Sequence, residues 1–496
     1  MEDIYYSSTR NDKNKVLSSE AILKGISEEG GLFVPNEIPK LNCTIEELIK
    51  LDYKETAYAV MSRFFTDFTE DELKNCIEKA YDNKFDTEKI APLKKAGDAY
   101  FLELYHGPTL AFKDMALSIL PYLLKTSAKK QGIEDKIVIL TATSGDTGKA
   151  ALEGFAEVEG TEIIVFFPED GVSAVQKLQM VTQKGKNTHV VGINGNFDDA
   201  QSAVKKMFTD TSFIEELKEK GYRFSSANSI NIGRLVPQIV YYFYAYSSLC
   251  RNKDIKVGEK INLVVPTGNF GNILAAYFAK LMGLPVNKLI CASNDNKVLF
   301  DFFSTGVYNK NREFMTTISP SMDILISSNL ERLIYLICDR NSKKVSELMK
   351  ELSASGKYEI TSNMKDKLQD FRGGYATEGD TKKAIRKMYS ENDYLLDTHT
   401  AVAYSVYEAY KKETSDNTKT VIASTASPYK FTNAVMTAID DEYSKYDSFE
   451  LMEKVSTIMH SDIPESIKDI NKREVIHKDT CEKDEMKSIV ERFLGI

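Results

Sequence analysis

Twice in this chain a short β-branched run ends in a glycine-bearing turn that opens directly into a helix. Lys136-Ile137-Val138-Ile139-Leu140 leads through the turn 141–148 into an alanine-rich helical stretch, 149–157. Ile261-Asn262-Leu263-Val264-Val265 leads through 266–272 into another, 273–282. Parallel strands need a crossover between them, and that crossover is usually a helix. Strand-like runs at 163–167, 188–192, 289–293 and 420–424 continue the alternation. The pattern predicts an α/β fold with a largely parallel sheet.

Residues 1–95 read as a mainly helical region. Ser19–Lys24 has helical spacing before Gly30-Gly31 and Pro35 break it, and 44–82 carries apolar residues at helical intervals. A smaller α/β domain is expected over 96–245 and a larger one over 246–496. Segment 340–395 reads as charged and helical with a break at Gly373-Gly374, 412–418 as a loop, and the tail beyond 461 as a solvated helix.

Composition enters as a filter. The 496 residues carry a net charge of −9, which disfavours nucleic acid and anionic membrane as partners. Six cysteines form no CxxC pair, so reduced thiols in a reducing compartment are expected. The chargeless stretch 261–279 is long enough to span a bilayer, but Pro266, Gly268, Asn269, Gly271 and Asn272 interrupt it. Met1-Glu2-Asp3 is acidic where a secretory leader would be basic. These readings together point to a cytoplasmic protein. His189, His460 and His477 show no metal-ligand spacing, so no metal is expected. Tyr241-Tyr242-Phe243-Tyr244 reads as core packing and His399 as part of a helix cap.

Five segments can carry chemistry. In Pro266-Thr267-Gly268-Asn269-Phe270-Gly271-Asn272 a strand gives way to a helix whose free N–H groups suit a phosphate; a ligand-free β–α turn would look the same. Thr141-Ala142-Thr143-Ser144-Gly145-Asp146-Thr147-Gly148-Lys149 crowds polar side chains at a second strand–helix corner, fit for a carboxylate or phosphate or for a capped helix start. A nucleotide P-loop is excluded there because Ala150 stands where Ser or Thr is required. His106-Gly107-Pro108-Thr109-Leu110-Ala111-Phe112-Lys113-Asp114 delivers a lysine among apolar residues, useful as a nucleophile only if desolvated or crowded by cations. Ser226-Ala227-Asn228-Ser229-Ile230-Asn231-Ile232-Gly233-Arg234 ends in an arginine suited to phosphate. Ser424-Thr425-Ala426-Ser427-Pro428-Tyr429-Lys430-Phe431 places hydroxyls at a strand end. An amine with two anion cradles is the set of parts a pyridoxal phosphate enzyme needs.

These segments, with Tyr6-Ser7-Ser8-Thr9-Arg10 and Gly30-Gly31-Leu32-Phe33-Val34-Pro35, closely resemble the threonine synthase family of the tryptophan synthase β-like fold type, in its bacterial and fungal group. The resemblance implies a fold type II pyridoxal phosphate enzyme: two parallel-sheet α/β domains, three layers deep, with a mainly helical N-terminal region. It implies that Lys113 carries pyridoxal 5'-phosphate in Schiff-base linkage and moves protons. Gly268, Asn269, Phe270, Gly271 and Asn272 then bind the cofactor phosphate, and Thr425 sits at the ring nitrogen. Thr143, Ser144, Asp146 and Thr147 take the substrate carboxylate, and Asn231 and Arg234 the substrate phosphate. The implied reaction is a β,γ-replacement on the small molecule O-phospho-L-homoserine, with a monomer or homodimer as the working unit. Ser427 departs from the histidine usual in the family, and Lys149 adds positive charge after a turn where small residues are common. The nearest rival is another lyase of the same fold, such as a serine/threonine dehydratase. A non-catalytic cofactor-binding protein is the rival from outside enzymes.

Overall fold

The computed structural model describes residues 3–496 except 144, 170 and 171, and every side chain among them but those of 197 and 198. Two sheets dominate. The larger has six strands in the order Phe371–Tyr375, Val286–Ser293, Ile261–Pro266, Thr420–Ser424, Ala99–Glu103, Leu93–Ala96. All neighbours are parallel except the last pair, which is antiparallel. The smaller has five parallel strands in the order Asp479–Glu482, Thr188–Asn194, Thr161–Pro168, Lys136–Ala142, Tyr222–Ser225.

The strands are apolar on both faces because both faces are covered. Leu263 and Val265 enter one core and Val264 another; Leu289 and Cys291 part from Ile290 and Ala292 in the same way. In the smaller sheet Ile137 and Ile139 join the core shared with the larger sheet, while Val138 and Leu140 face a third. This alternation makes each sheet the middle of an α/β/α sandwich, as expected.

The chain crosses between the sheets more often than three consecutive segments allow. The strands Leu93–Ala96 and Ala99–Glu103 belong to the larger sheet, although 96–245 was expected to form the smaller domain. The tail is not purely helical: Asp479–Glu482 pairs with Thr188–Asn194 at the edge of the smaller sheet, and a helix Met486–Leu494 follows. Gly373-Gly374 does break the helical segment, between Ser362–Asp366 and Glu378–Asn392, and forms the middle of an edge strand there. A Cβ on Gly374 would lie 2.4 Å from Val406, and one on Gly373 would lie 3.2 Å from Phe300, so the glycines let helices lie close on both faces.

The N-terminal region holds the short helices Ile45–Leu48, Tyr53–Met61 and Glu70–Ala80. Each starts with a capping box: Thr44/Glu47, Asp52/Glu55, Thr69/Glu72. It also holds a three-stranded antiparallel sheet. Arg10 clamps Glu331 with Nε at 2.9 Å and Nη2 at 2.7 Å, tying this region to the helix Leu330–Ile337. The adjacent Arg332 is fully buried. It donates to the carbonyls of Phe33 (2.9 Å) and Ile230 (2.5 Å) and to the side chain of Asn329.

Candidate functional site

A cleft of about 1660 Å³ lies between the two sheets, lined by the turns that follow the carboxyl ends of the central strands. Lys113 enters it from a loop held by backbone pairing. Leu110 O accepts from Ser427 N at 3.0 Å and Phe112 N donates to Thr425 O at 2.8 Å, with a bridge at Ala111–Ala426 between them. Thr109 donates from N (2.8 Å) and Oγ1 (2.6 Å) to Asp114, whose buried carboxyl is pushed up to about 6 by desolvation. The pairing puts Lys113 beside Thr425, and both line the cleft.

Lys113 Nζ donates to Ser321 Oγ at 3.3 Å and lies 3.5 Å from Asp146 Oδ2. Burial lowers its ammonium below the ordinary lysine value; Lys430 and Arg234 push the same way and Asp146 opposes them. Although burial pushes it up, Lys430 and Lys113 hold Asp146 well below the usual carboxylate range.

The 268–272 corner is a built anion cradle. Phe270 sits in the left-handed region (φ 63°) and opens the helix Gly271–Met282, whose first N–H groups have no partner within the helix. The loop carbonyls are tied back: Gly268 O accepts from Ser327 Oγ (2.7 Å), and Asn269 O from Asn329 N (3.1 Å) and Nδ2 (3.0 Å). A Cβ on Gly268 would come within 2.5 Å of Ser321 O. Asn272 Oδ1 accepts the hydroxyls of Tyr241 (2.7 Å) and Tyr242 (2.5 Å), which leaves Asn272 Nδ2 buried and without a partner among the described residues. Arg234 is buried and lines the cleft. Its Nη1 donates to Ala227 O at 2.7 Å, its Nε has no partner among the described residues, and burial lowers the guanidinium to about 10. A buried cation without a carboxylate partner among the described residues and a buried amide with a free N–H call for an anion.

The second turn differs from its expected use. Thr143 Oγ1 accepts from Gly145 N (3.0 Å) and Gly148 N (2.9 Å), so its hydroxyl closes the turn and the helix start faces the cleft. Thr147 lines the cleft, and Ser144 lies outside the described residues. Asp146, expected to take a carboxylate, is itself the anion: Lys430 Nζ lies 2.9 Å from Oδ1, and Gln176 Nε2 donates there at 3.0 Å. The Asp146 side chain therefore offers a carboxylate no donor. Asn231, expected at the substrate phosphate, is the N-cap of the helix Ile232–Arg251. Its Oδ1 accepts from Gly233 N (2.9 Å) and its Nδ2 donates to Ile22 O (2.9 Å) and Ser226 O (3.1 Å), so no donor remains.

Lys149 pairs with Glu153 and Gln183 rather than with the cleft. Ser427 works on backbone, its Oγ accepting from Tyr429 N at 3.4 Å. His399 does more than accompany a cap. Asp397 is the N-cap of Thr398–Thr414 and accepts from His399 Nδ1 (3.0 Å), while His399 Nε2 accepts from Ser321 N at 3.2 Å inside the cleft. Ser321, Gln176, Asn329 and Lys430 were given no role by the sequence reading. Tyr241 and Tyr242 were assigned to packing, yet their hydroxyls orient Asn272.

Three family models match this chain end to end: "Threonine synthase N terminus" over residues 5–81, "Pyridoxal-phosphate dependent enzyme" over 87–426 and "Threonine synthase, C-terminal" over 400–488. The fold and the cleft therefore define a pyridoxal-phosphate-dependent enzyme of fold type II. The threonine synthase of Pseudomonas aeruginosa is 39% identical over 436 residues, covering 87% of this chain and 89% of that protein. The human protein "Threonine synthase-like 1" is 41% identical over 434 residues; these cover 85% of this chain but only 58% of that relative's length. The pyridoxal-phosphate-bound threonine synthase from Brucella melitensis superposes with a TM-score of 0.87 at 35% identity, over 99% of each chain. This chain belongs to the threonine synthase family.

The residues in the cleft fit the family's cofactor. A buried primary amine faces the cleft, the unpartnered Asn272 amide and the start of Gly271–Met282 await a phosphate, and Gly268 gives the loop its tight fit against Ser321.

Proposed function

We propose that this chain converts O-phospho-L-homoserine and water to L-threonine and inorganic phosphate, the final step of threonine biosynthesis. The carrying observation is the buried Arg234 guanidinium, which has no carboxylate partner among the described residues and a free Nε, in the same cleft as Lys113 and the free Asn272 amide N–H. One anion cradle serves a cofactor; a further buried cation in the same cleft serves a substrate that brings its own phosphate.

In this reading Gly268, Asn269, Phe270, Gly271 and Asn272 hold the cofactor phosphate and Thr425 meets the ring nitrogen. With the Asp146 charge taken up by Lys430 and Lys113, the start of the helix Asp146–Phe155, with Thr147, meets the substrate carboxylate through its N–H groups. When bound, pyridoxal phosphate supplies an electron-withdrawing ring conjugated to the substrate amine. Lys113, once free, takes the proton from the substrate α-carbon and later returns one to the same carbon. Arg234 steadies the leaving phosphate without a proton to lose near neutral pH. Asp146 keeps a negative charge beside the Lys113 amine, and Ser321 gives that amine a fixed hydrogen-bond partner.

The chain works in the cytoplasm as a monomer or homodimer. Its six cysteines are free, as a reducing compartment requires. Four of its exposed large apolar side chains, Ile26, Ile214, Phe314 and Ile326, line the cleft rather than an outer face. No helix among the described residues is long and apolar enough to cross a membrane.

A coupled phosphate-release assay decides the activity. Phosphate and threonine appear in equal amounts from O-phosphohomoserine, with little ammonia from threonine or serine. Ammonia from those two without phosphate release would instead make the protein a dehydratase.

A further inference from the structure

Asp146 faces two lysines, and one carboxylate cannot neutralise both. Lys430 holds the stronger claim. Its side chain is 1% exposed, its Nζ lies 2.9 Å from Asp146 Oδ1, and it donates to Thr109 O at 2.8 Å. Lys113 Nζ is 3.5 Å from the other oxygen, and Ser321 Oγ, itself 3.3 Å from that oxygen, stands beside both. The charged and titratable groups facing this spot come from several elements. Asp146 is on the helix Asp146–Phe155, Lys430 on the turn Pro428–Phe431 and Arg234 on the helix Ile232–Arg251. Asp114 follows Lys113 directly, with both carboxylate oxygens committed to Thr109. His399 lines the cleft and touches this spot through Ser321 N. The cations near Lys113 therefore outnumber the anions left for it.

We propose that Lys430 is a positioning residue that claims Asp146 as its own counter-ion, so that this carboxylate does not hold a proton on the free amine of Lys113. Lys430 also keeps Asp146 in place when Lys113 is engaged with cofactor and can no longer serve as its cation. A neutral donor at 430 would supply the hydrogen bond but not the charge. Without Lys430, Asp146 would pair with Lys113 alone. An opposite charge at this range raises the proton affinity of an amine by about one to three pH units. The inference rests on the reading of Lys113 as the cofactor lysine.

The test uses the full chain stripped of cofactor and mixed with pyridoxal phosphate. The rate at which the visible cofactor band forms is followed between about pH 6 and pH 10 for the unaltered chain, Lys430→Met, Lys430→Arg and the double variant Asp146→Asn/Lys430→Met. Each variant's rate is divided by that of the unaltered chain at the same pH. The ratio for Lys430→Met falls towards low pH, its limb moved up by at least one unit, and approaches about a tenfold loss at pH values below both limbs. Lys430→Arg gives a ratio close to one throughout. The double variant loses the pH dependence, because the anion that would recharge Lys113 is gone. Simple damage to the fold lowers the ratio equally at every pH, so a flat Lys430→Met ratio overturns the proposal, as does a double variant that keeps the limb. Should Lys430→Met fail to fold, the double variant, which removes both buried charges together, carries the test. If the unaltered chain forms no band, or the band survives Lys113→Ala, the reading of Lys113 itself falls, an outcome distinct from a flat ratio.

Discussion

Replacing Gly268 with alanine would test the cradle at the point where the protein itself sets the tolerance. The new methyl carbon would stand 2.5 Å from Ser321 O, a backbone atom that cannot rotate away. Restoring ordinary contact requires the 268–272 loop and the 320–322 turn to part by roughly 1 Å, and a misplacement of that size costs a site about 100-fold. Overpacking of this kind costs about 1–3 kcal/mol where it must be accommodated. Here it falls on the bound conformation of the loop. Gly268→Ala should therefore weaken cofactor binding about 10- to 100-fold. Gly271→Ala is the matched comparison. Its nearest atoms lie at 3.5 to 3.8 Å, so the protein accepts the methyl group, and any loss of affinity there comes from the ligand. Titration of cofactor absorbance, with thermal melts of the stripped protein alongside, separates the two. A Gly268→Ala protein with unchanged affinity would refute the idea that the Ser321 contact fixes the loop.

Lys113→Ala should lose the visible cofactor band and turnover together, checked by spectrum and phosphate release. Arg234→Met removes a buried cation that has no carboxylate partner among the described residues, so the ligand-free protein should melt little or no lower while affinity for phosphate-bearing substrate falls about 10- to 100-fold; calorimetry with O-phosphohomoserine reads it. His106 predicts a stability slope at alkaline pH. Against the pull of burial, its contacts with Asp86 (2.6 Å) and Glu103 (3.1 Å) push it up to about 9. That stabilisation is full below the unfolded value near 6.5 and fades as pH rises through 9. It is worth on the order of 2–3 kcal/mol once the exposure of Asp86 is allowed for. Urea midpoints should fall between pH 7 and 10, and His106→Gln should flatten the decline.

The parts of this site made by backbone were legible in the sequence. The two strand–turn–helix corners, the lysine loop and the hydroxyl after Thr420–Ser424 announce themselves through glycine and hydroxyl spacing. Side chains whose duty is set by a distant partner were not. Asp146 reads as one more polar group in its turn until Lys430 is brought against it from the far end of the chain. Ser321 and Asn329 sit in an irregular stretch without periodic signal, and only the fold sets them behind the 268–272 corner. Asn231 is a different case. An asparagine directly before a long apolar helix is a cap signal, and giving that rule more weight than the neighbouring arginine would have placed it correctly. Asp479–Glu482 has little strand propensity of its own and becomes a strand because Thr188–Asn194 offers it an open edge.

That last pairing bears on how the molecule can be made. On a ribosome, the edge of Thr188–Asn194 waits uncovered while more than half of the polypeptide is still to emerge, presenting unpaired amides to any neighbouring nascent chain. Trimming the polypeptide before Asp479 would leave that exposure permanent, so shortened versions should clump even though nothing in the cleft has been touched.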